Sequence, residues 1–109
     1  MIAPQTEARI RGAEFIHMGQ NGTLARYPIH FHVAGNHSKS YVNENSVHDT
    51  FQRCITLHGV NYVTVSWNVA YNSAGHCFFI EDGNELQNTL IYNLAIHARP
   101  HTLLAHDVR

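Results

Sequence analysis

Apolar and polar residues alternate along this chain in short runs, and the runs recur at a nearly constant interval. Cys54-Ile55-Thr56-Leu57-His58 and Cys77-Phe78-Phe79-Ile80-Glu81 carry one pattern 23 residues apart. The match continues upstream, where Asn45 falls on Asn68, Val47 on Ala70, Asp49 on Asn72, Thr50 on Ser73 and Arg53 on His76. The runs are rich in Val, Ile, Tyr, Phe and Thr and are punctuated by Asn and Gly, which is strand chemistry. No window of about a dozen residues holds a helical 3.6-residue period. A fixed period in the low twenties predicts stacked coils, with residues one period apart about 4.8 Å from each other across a parallel ladder.

The predicted fold is therefore all-β: a parallel β-helix of four coils of roughly 23 residues, one domain over residues 1–109. The first coil runs from about Ala8 to Gly35, with strands in Ala13–His17 and Pro28–His32. The second, about Asn36 to Val60, contains Asn45-Ser46-Val47-His48 and the first pentad. The third, about Asn61 to Gly83, contains Tyr62–Val65, Asn68–Tyr71 and the second pentad. The fourth contains Thr89–Tyr92, Asn93–Ile96 and Thr102-Leu103-Leu104. The step from Asn68 to Asn93 is 25, which places two extra residues in the Asp82-Gly83-Asn84-Glu85 turn. Asn45, Asn68 and Asn93 form a ladder in which each asparagine takes a left-handed corner and bonds through its amide to the next rung. An antiparallel sandwich would give hairpin turns without equivalent residues at constant offset.

Alternation assigns the faces. Ile29/Phe31, Ile55/Leu57 and Phe78/Ile80 are the apolar pairs and enter the core. Pro28/His30/His32, Cys54/Thr56/His58 and Cys77/Phe79/Glu81 then point outward. His32, His58 and Glu81 stand in one column, with His30 beside it and Asp82 at the next corner. Imidazole exchanges protons near neutral pH, so this column suits acid–base chemistry, or ligation of a divalent metal. The plain alternative is a hydrated polar strip. Gly75 lets the chain turn and aims His76 toward the same pentad. Arg26, before Tyr27-Pro28, supplies positive charge for a carboxylated sugar or closes a turn. His17 and His48 cap or pack at strand ends, and His97, His101 and His106 are structural or solvated. Tyr62, Trp67, Tyr71 and Tyr92 offer sugar-stacking rings or rung packing.

The chain has ten histidines, while seven basic and eight acidic residues leave a net charge of −1. That balance carries no basic footprint for nucleic acid. No run approaches the roughly 20 apolar residues of a membrane span, and the N-terminus lacks the regions of a signal peptide. A solenoid that begins mid-coil reads as an excerpt of a longer one, with flanking coils on either side. Neither a Gly-x-Ser-x-Gly elbow nor a phosphate loop is present, and His30-x-His32 lacks the following glutamate of a cupin site. Cys54 and Cys77 stack one rung apart, within the Cα range of a disulfide; the alternative is two free thiols at small outward or turn positions. Asn21-Gly22-Thr23 and Asn36-His37-Ser38 are N-glycosylation sequons.

Three motifs resemble a known family. Arg26-Tyr27-Pro28-Ile29-His30-Phe31-His32, Arg53-Cys54-Ile55-Thr56-Leu57-His58-Gly59, and Asn72–Gly83 with its His76-Cys77-Phe78-Phe79-Ile80-Glu81-Asp82 centre look like one β-helix segment. It is that of the extracellular family of cell-surface hyaluronidase, cell migration-inducing hyaluronan-binding protein and fibrocystin-like proteins. Gly12–Gln20 resembles the segment preceding the first motif there. The resemblance implies a right-handed parallel β-helix, extracellular or lumenal and N-glycosylated. It implies binding of hyaluronan or a related anionic polysaccharide and its depolymerisation, with calcium as a candidate cofactor. The expected reaction is acid–base hydrolysis, with His32 or His58 as proton-transfer group and Glu81 or Asp82 as its carboxylate partner or a metal ligand. Rungs about 4.8 Å apart approach the roughly 5 Å carboxyl spacing of retaining glycosidases, and two rungs the ~6.5–9.5 Å of inverting ones. A non-catalytic receptor or adhesion domain of fibrocystin-like type is the alternative.

Overall fold

The computed structural model describes residues 1–100. The chain forms strands β1 (Arg9–Arg11), β2 (Glu14–Ile16), β3 (Ile29–Asn36), β4 (Tyr41–Asn43), β5 (Ser46–His48), β6 (Ile55–Asn61), β7 (Thr64–Ser66), β8 (Val69–Ala74), β9 (Phe78–Ile80), β10 (Thr89–Ile91) and β11 (Leu94–Arg99). They build three sheets, ordered β1-β4-β7-β10, β2-β5-β8-β11 and β3-β6-β9. Every named strand pairing is parallel. Each coil contributes one strand to each sheet in turn, so the chain is a parallel β-helix of about four coils. The expected strand at Thr102-Leu103-Leu104, together with His101 and His106, lies outside the described residues.

Val42, Val47, Val60, Val63, Val65 and Ala70 fill the interior with Phe31, Ile55 and Leu57, all at most 1% exposed. Full burial of such side chains contributes about 1.5–3 kcal/mol each for the larger ones, and this is what holds three-residue strands together. Ile80 pairs with Leu57 but is 46% exposed, because β9 is the last described rung of its sheet. Two strands, β1 and β4, escape the sequence reading. Each contains a single inward apolar residue, Ile10 or Val42, flanked by polar ones.

The asparagine ladder runs along one interior corner. Asn68 Nδ2 donates to Val42 O (2.7 Å) and Asn93 Oδ1 (3.0 Å), while its own Oδ1 accepts Asn45 N–H (3.0 Å) and Asn45 Nδ2 (3.1 Å). The expected left-handed asparagines are corrected: the left-handed residue is the one before, namely Glu44 (φ 58°), Trp67 (φ 56°) and Tyr92 (φ 56°). Left-handed backbone costs about 1–2 kcal/mol at a non-glycine residue, and the buried amide bonds offset it. Coil spacing is 23 between the second and third coils and 25 between the third and fourth, as expected, but 32 between the first two. Much of that excess is the loop over residues 17–28, twelve residues against the six that join β5 to β6. This loop shapes the site.

Candidate functional site

The outer face of β3-β6-β9 carries the expected groups in register. His30 pairs with Thr56, and His32 with His58. Thr56 pairs with Phe79, and Glu81 follows β9 with its N–H on Leu57 O at 2.9 Å. After His32 the ladder slips, so that Val33-Ala34 oppose Gly59 alone. A bulge of this kind bends the strand and re-aims the side chains beside it. A Cβ on Gly59 would lie 3.1 Å from the Val33 Cα, and Gly59 has φ +59°, so glycine is needed immediately after His58.

His58 sits between two carboxylates: its Nε2 is 2.9 Å from Asp82 Oδ2 and its Nδ1 is 3.5 Å from Glu81 Oε2. Its ring lies parallel to that of His30 at 6.4 Å, and His32 stands edge-on to both, at 5.2 Å from His30 and 5.1 Å from His58. The column His32–His58–Glu81 is thus assembled, with Asp82 and His30 beside it. The Asp82 turn is fixed by Glu85, whose Oε1 accepts the N–H groups of Gly59 (3.0 Å) and Asp82 (3.3 Å). Burial works to raise the Glu85 pKa, but backbone donors from Gly59 and the turn outweigh it and hold the carboxyl below its usual range.

At His30 and Thr56 alternation gave the direction but not what covers it. His30, expected on an open face, is 1% exposed, and Thr56 is fully buried. The 17–28 loop folds across them: His30 Nδ1 is 3.1 Å from Ala25 O, and the Tyr27 ring packs 4.8 Å from His30. Burial first of all lowers the His30 pKa to about 4, so its ring is neutral near pH 7. A neutral imidazole must donate from Nδ1 to the Ala25 carbonyl, which leaves Nε2 as a bare lone pair. Among the described residues His30 Nε2, Thr56 Oγ1 and Glu81 Oε2 are buried without a hydrogen bond. Such orphans cost about 1–3 kcal/mol each.

Arg53 is the residue that sequence reasoning missed. It is 1% exposed, donates from Nη1 to Tyr27 Oη at 3.0 Å, and lies 4.0 Å over the Phe79 ring. The signal was its alignment with His76, two residues ahead of each pentad strand. His76 is exposed, and its ring packs 5.0 Å from Phe79 of the second pentad. Arg26 is exposed on the covering loop, where its main chain closes turns with Gln20 and Thr23.

Cys54 and Cys77 are free thiols, the alternative to a disulfide that their spacing left open, and the outward placement is corrected: both are buried in the core cluster. They precede β6 and β9 by one residue, in a bend where strand alternation no longer applies. The hydrogen bond with Cys77, reinforced by burial, holds Cys54 in its thiol form. Trp67 and Tyr92 stack on each other at 4.6 Å on an exposed corner. His48 stacks on Tyr71 at 4.4 Å and bonds Asp49 and Glu14, so it packs at its strand end as expected.

A parallel β-helix with a histidine–carboxylate face defines the class of protein. The family profile described as CEMIP beta-helix matches residues 1–109, and the chain belongs to that family. It is 43% identical over 107 residues to the human cell migration-inducing and hyaluronan-binding protein, covering 92% of this chain and 8% of that protein. It is 39% identical over 109 residues to the human cell surface hyaluronidase CEMIP2, covering 94% and 8%. A G8 domain-containing protein of Dictyostelium discoideum is 47% identical over 88 residues, covering 81% and 6%. The chain thus spans under a tenth of the length of these relatives. Among the described residues no helix is long and apolar enough to cross a membrane.

Proposed function

We propose that this chain is the glycosaminoglycan-handling segment of an extracellular or lumenal protein, and that its histidine–carboxylate face cleaves hyaluronan or a related anionic polysaccharide. The observation that carries this reading is the convergence of His32, His58 and Glu81 on adjacent rungs, in a chain whose relatives are named for hyaluronan binding and cleavage. His32 is the proton-transfer group: His30 is buried and held by the Ala25 carbonyl, and His58 has a carboxylate at each ring nitrogen. Glu81 and Asp82 orient the His58 ring. Arg26, exposed on the loop over this face, clamps the sugar carboxylate, and His76 borders the substrate path. Asn36, exposed and with Oδ1 bonded to Ser38 N–H at 3.0 Å, and Asn21 carry N-glycans. Exposed Ile91, Leu94 and Ile96 on the last rungs meet flanking coils of a longer solenoid.

Size analysis of hyaluronan incubated with the intact protein tests this. Shortening that disappears in His58→Ala, with β-sheet circular dichroism retained, supports it; equal shortening by that variant removes His58 from the reaction. A non-catalytic receptor is the second reading, favoured by the relative whose name records binding alone. Retained binding without any shortening selects it.

A further inference from the structure

We infer that His30, His58 and Glu81 bind one first-row transition-metal ion of the zinc class. One ligand atom from each of these three residues lies within 4.8 Å of the others. A tetrahedral ion with bonds of about 2.1 Å needs donor separations of about 3.4 Å, so side-chain rotations of roughly an ångström close the set. Two features go beyond proximity. His30 Nε2 and Glu81 Oε2 are among the buried atoms with no hydrogen bond among the described residues. Each imidazole also has a partner in place on its far nitrogen: Ala25 O accepts from His30 Nδ1–H at 3.1 Å, and Asp82 faces His58 Nε2 at 2.9 Å. Metal-ligating histidines are oriented this way, with the far nitrogen on a carbonyl or carboxylate and the near one presenting a lone pair. His58 then ligates through Nδ1, the nitrogen nearer Glu81.

The donor set also decides which metal. Calcium takes six to eight oxygens, whereas two imidazoles and one carboxylate suit zinc and its neighbours. Calcium therefore does not fit this face. Two histidines and a glutamate leave a fourth position, and partial exposure of His58 and Glu81 opens it to solvent, the pattern of catalytic rather than structural zinc sites. An ion there would supply Lewis-acid or bound-water chemistry. His32 stays outside the set, free for proton transfer.

This inference takes from the proposed function only its location, and metal binding stands or falls whether or not the protein cleaves hyaluronan. The intact protein, stripped with chelator and dialysed, is titrated separately with zinc, cobalt and calcium, and bound metal is read by mass spectrometry and cobalt visible absorption. One zinc or cobalt per chain is expected, with tetrahedral cobalt bands and no calcium at this face. Glu81→Gln and His58→Ala should weaken binding by at least 100-fold, Asp82→Asn by about 10–100-fold because it removes the carboxylate that orients His58, and His32→Ala should retain the ion. Circular dichroism checks that each variant is folded. Substoichiometric zinc, preference for calcium, or wild-type affinity in folded Glu81→Gln overturns the assignment. Hyaluronan shortening that persists in metal-free protein overturns a catalytic role for the ion and leaves the proposed function standing.

Discussion

Replacing Asn68 with alanine removes the centre of the asparagine ladder. Its amide makes four hydrogen bonds, to Val42 O, Asn93 Oδ1, Asn45 N–H and Asn45 Nδ2, at 2.7–3.1 Å. The variant takes a partner from two buried backbone groups, the Val42 carbonyl and the Asn45 N–H, at about 1–3 kcal/mol each. The left-handed turn at Trp67 also loses the bonds that offset its strain. A loss of roughly 3–5 kcal/mol is expected, a large share of the ~5–15 kcal/mol that holds a domain of this size. Asn43→Ala is the control: it removes one half-exposed bond, from Ser66 Oγ at 2.8 Å, and should cost about 1 kcal/mol. Equilibrium urea unfolding of the intact protein measures both. Equal stabilities for the two variants would refute the claim that the ladder fixes the coil corner.

Arg53→Met should destabilise by about 2–4 kcal/mol in the same assay, through loss of the Tyr27 bond and the Phe79 ring contact; a loss under about 1 kcal/mol would show that the guanidinium is not structural. Cys54 and Cys77 should react with an aromatic disulfide reagent only after denaturation, releasing two thiol equivalents, whereas a two-dalton mass deficit in the native protein would reveal a bond. The His48 corner should be pH-sensitive. Bonding to Asp49 first and Glu14 second raises the His48 pKa, while His48 and then Asn72 lower that of Asp49; His17 faces Asp49 and Tyr71 stacks on the ring. His48 therefore stabilises the fold below about pH 6.5, its unfolded value, and that gain is lost as pH rises through the raised folded value; Asp49 contributes above about pH 3.9 and loses its share on acidification. The Tm gap between wild type and His48→Gln should be widest near pH 5–6 and narrow toward pH 9; a gap that does not change with pH would exclude protonation.

The features legible in the sequence are those that repeat. The repeated pattern placed Asn45, Asn68 and Asn93 on one corner, and matching the apolar pair Ile29/Phe31 to Ile55/Leu57 brought His32 and His58 into register although the coils differ in length. What the period does not encode is cover. The 17–28 loop interrupts the repeat, and only its packing turns His30 and Thr56 from outward positions into buried ones. Arg53 escaped for the same reason: a guanidinium sandwiched against tyrosine and phenylalanine reads in one dimension like any surface charge. Cys54 and Cys77 were placed by alternation one residue beyond where their strands begin. Short strands with a single apolar residue, such as Arg9–Arg11, carry too little pattern to be seen without their neighbours.

The central claim is that residues from separate coils act as one site. A double-mutant cycle on hyaluronan turnover by the intact protein, with His32→Ala, Glu81→Gln and both together, tests it most directly. Each single variant is predicted to lose about 10²–10⁴-fold, with the double losing little more than the worse single, as for groups that work as a unit. Single variants that turn over hyaluronan within a few-fold of wild type, or losses that simply multiply, would contradict it.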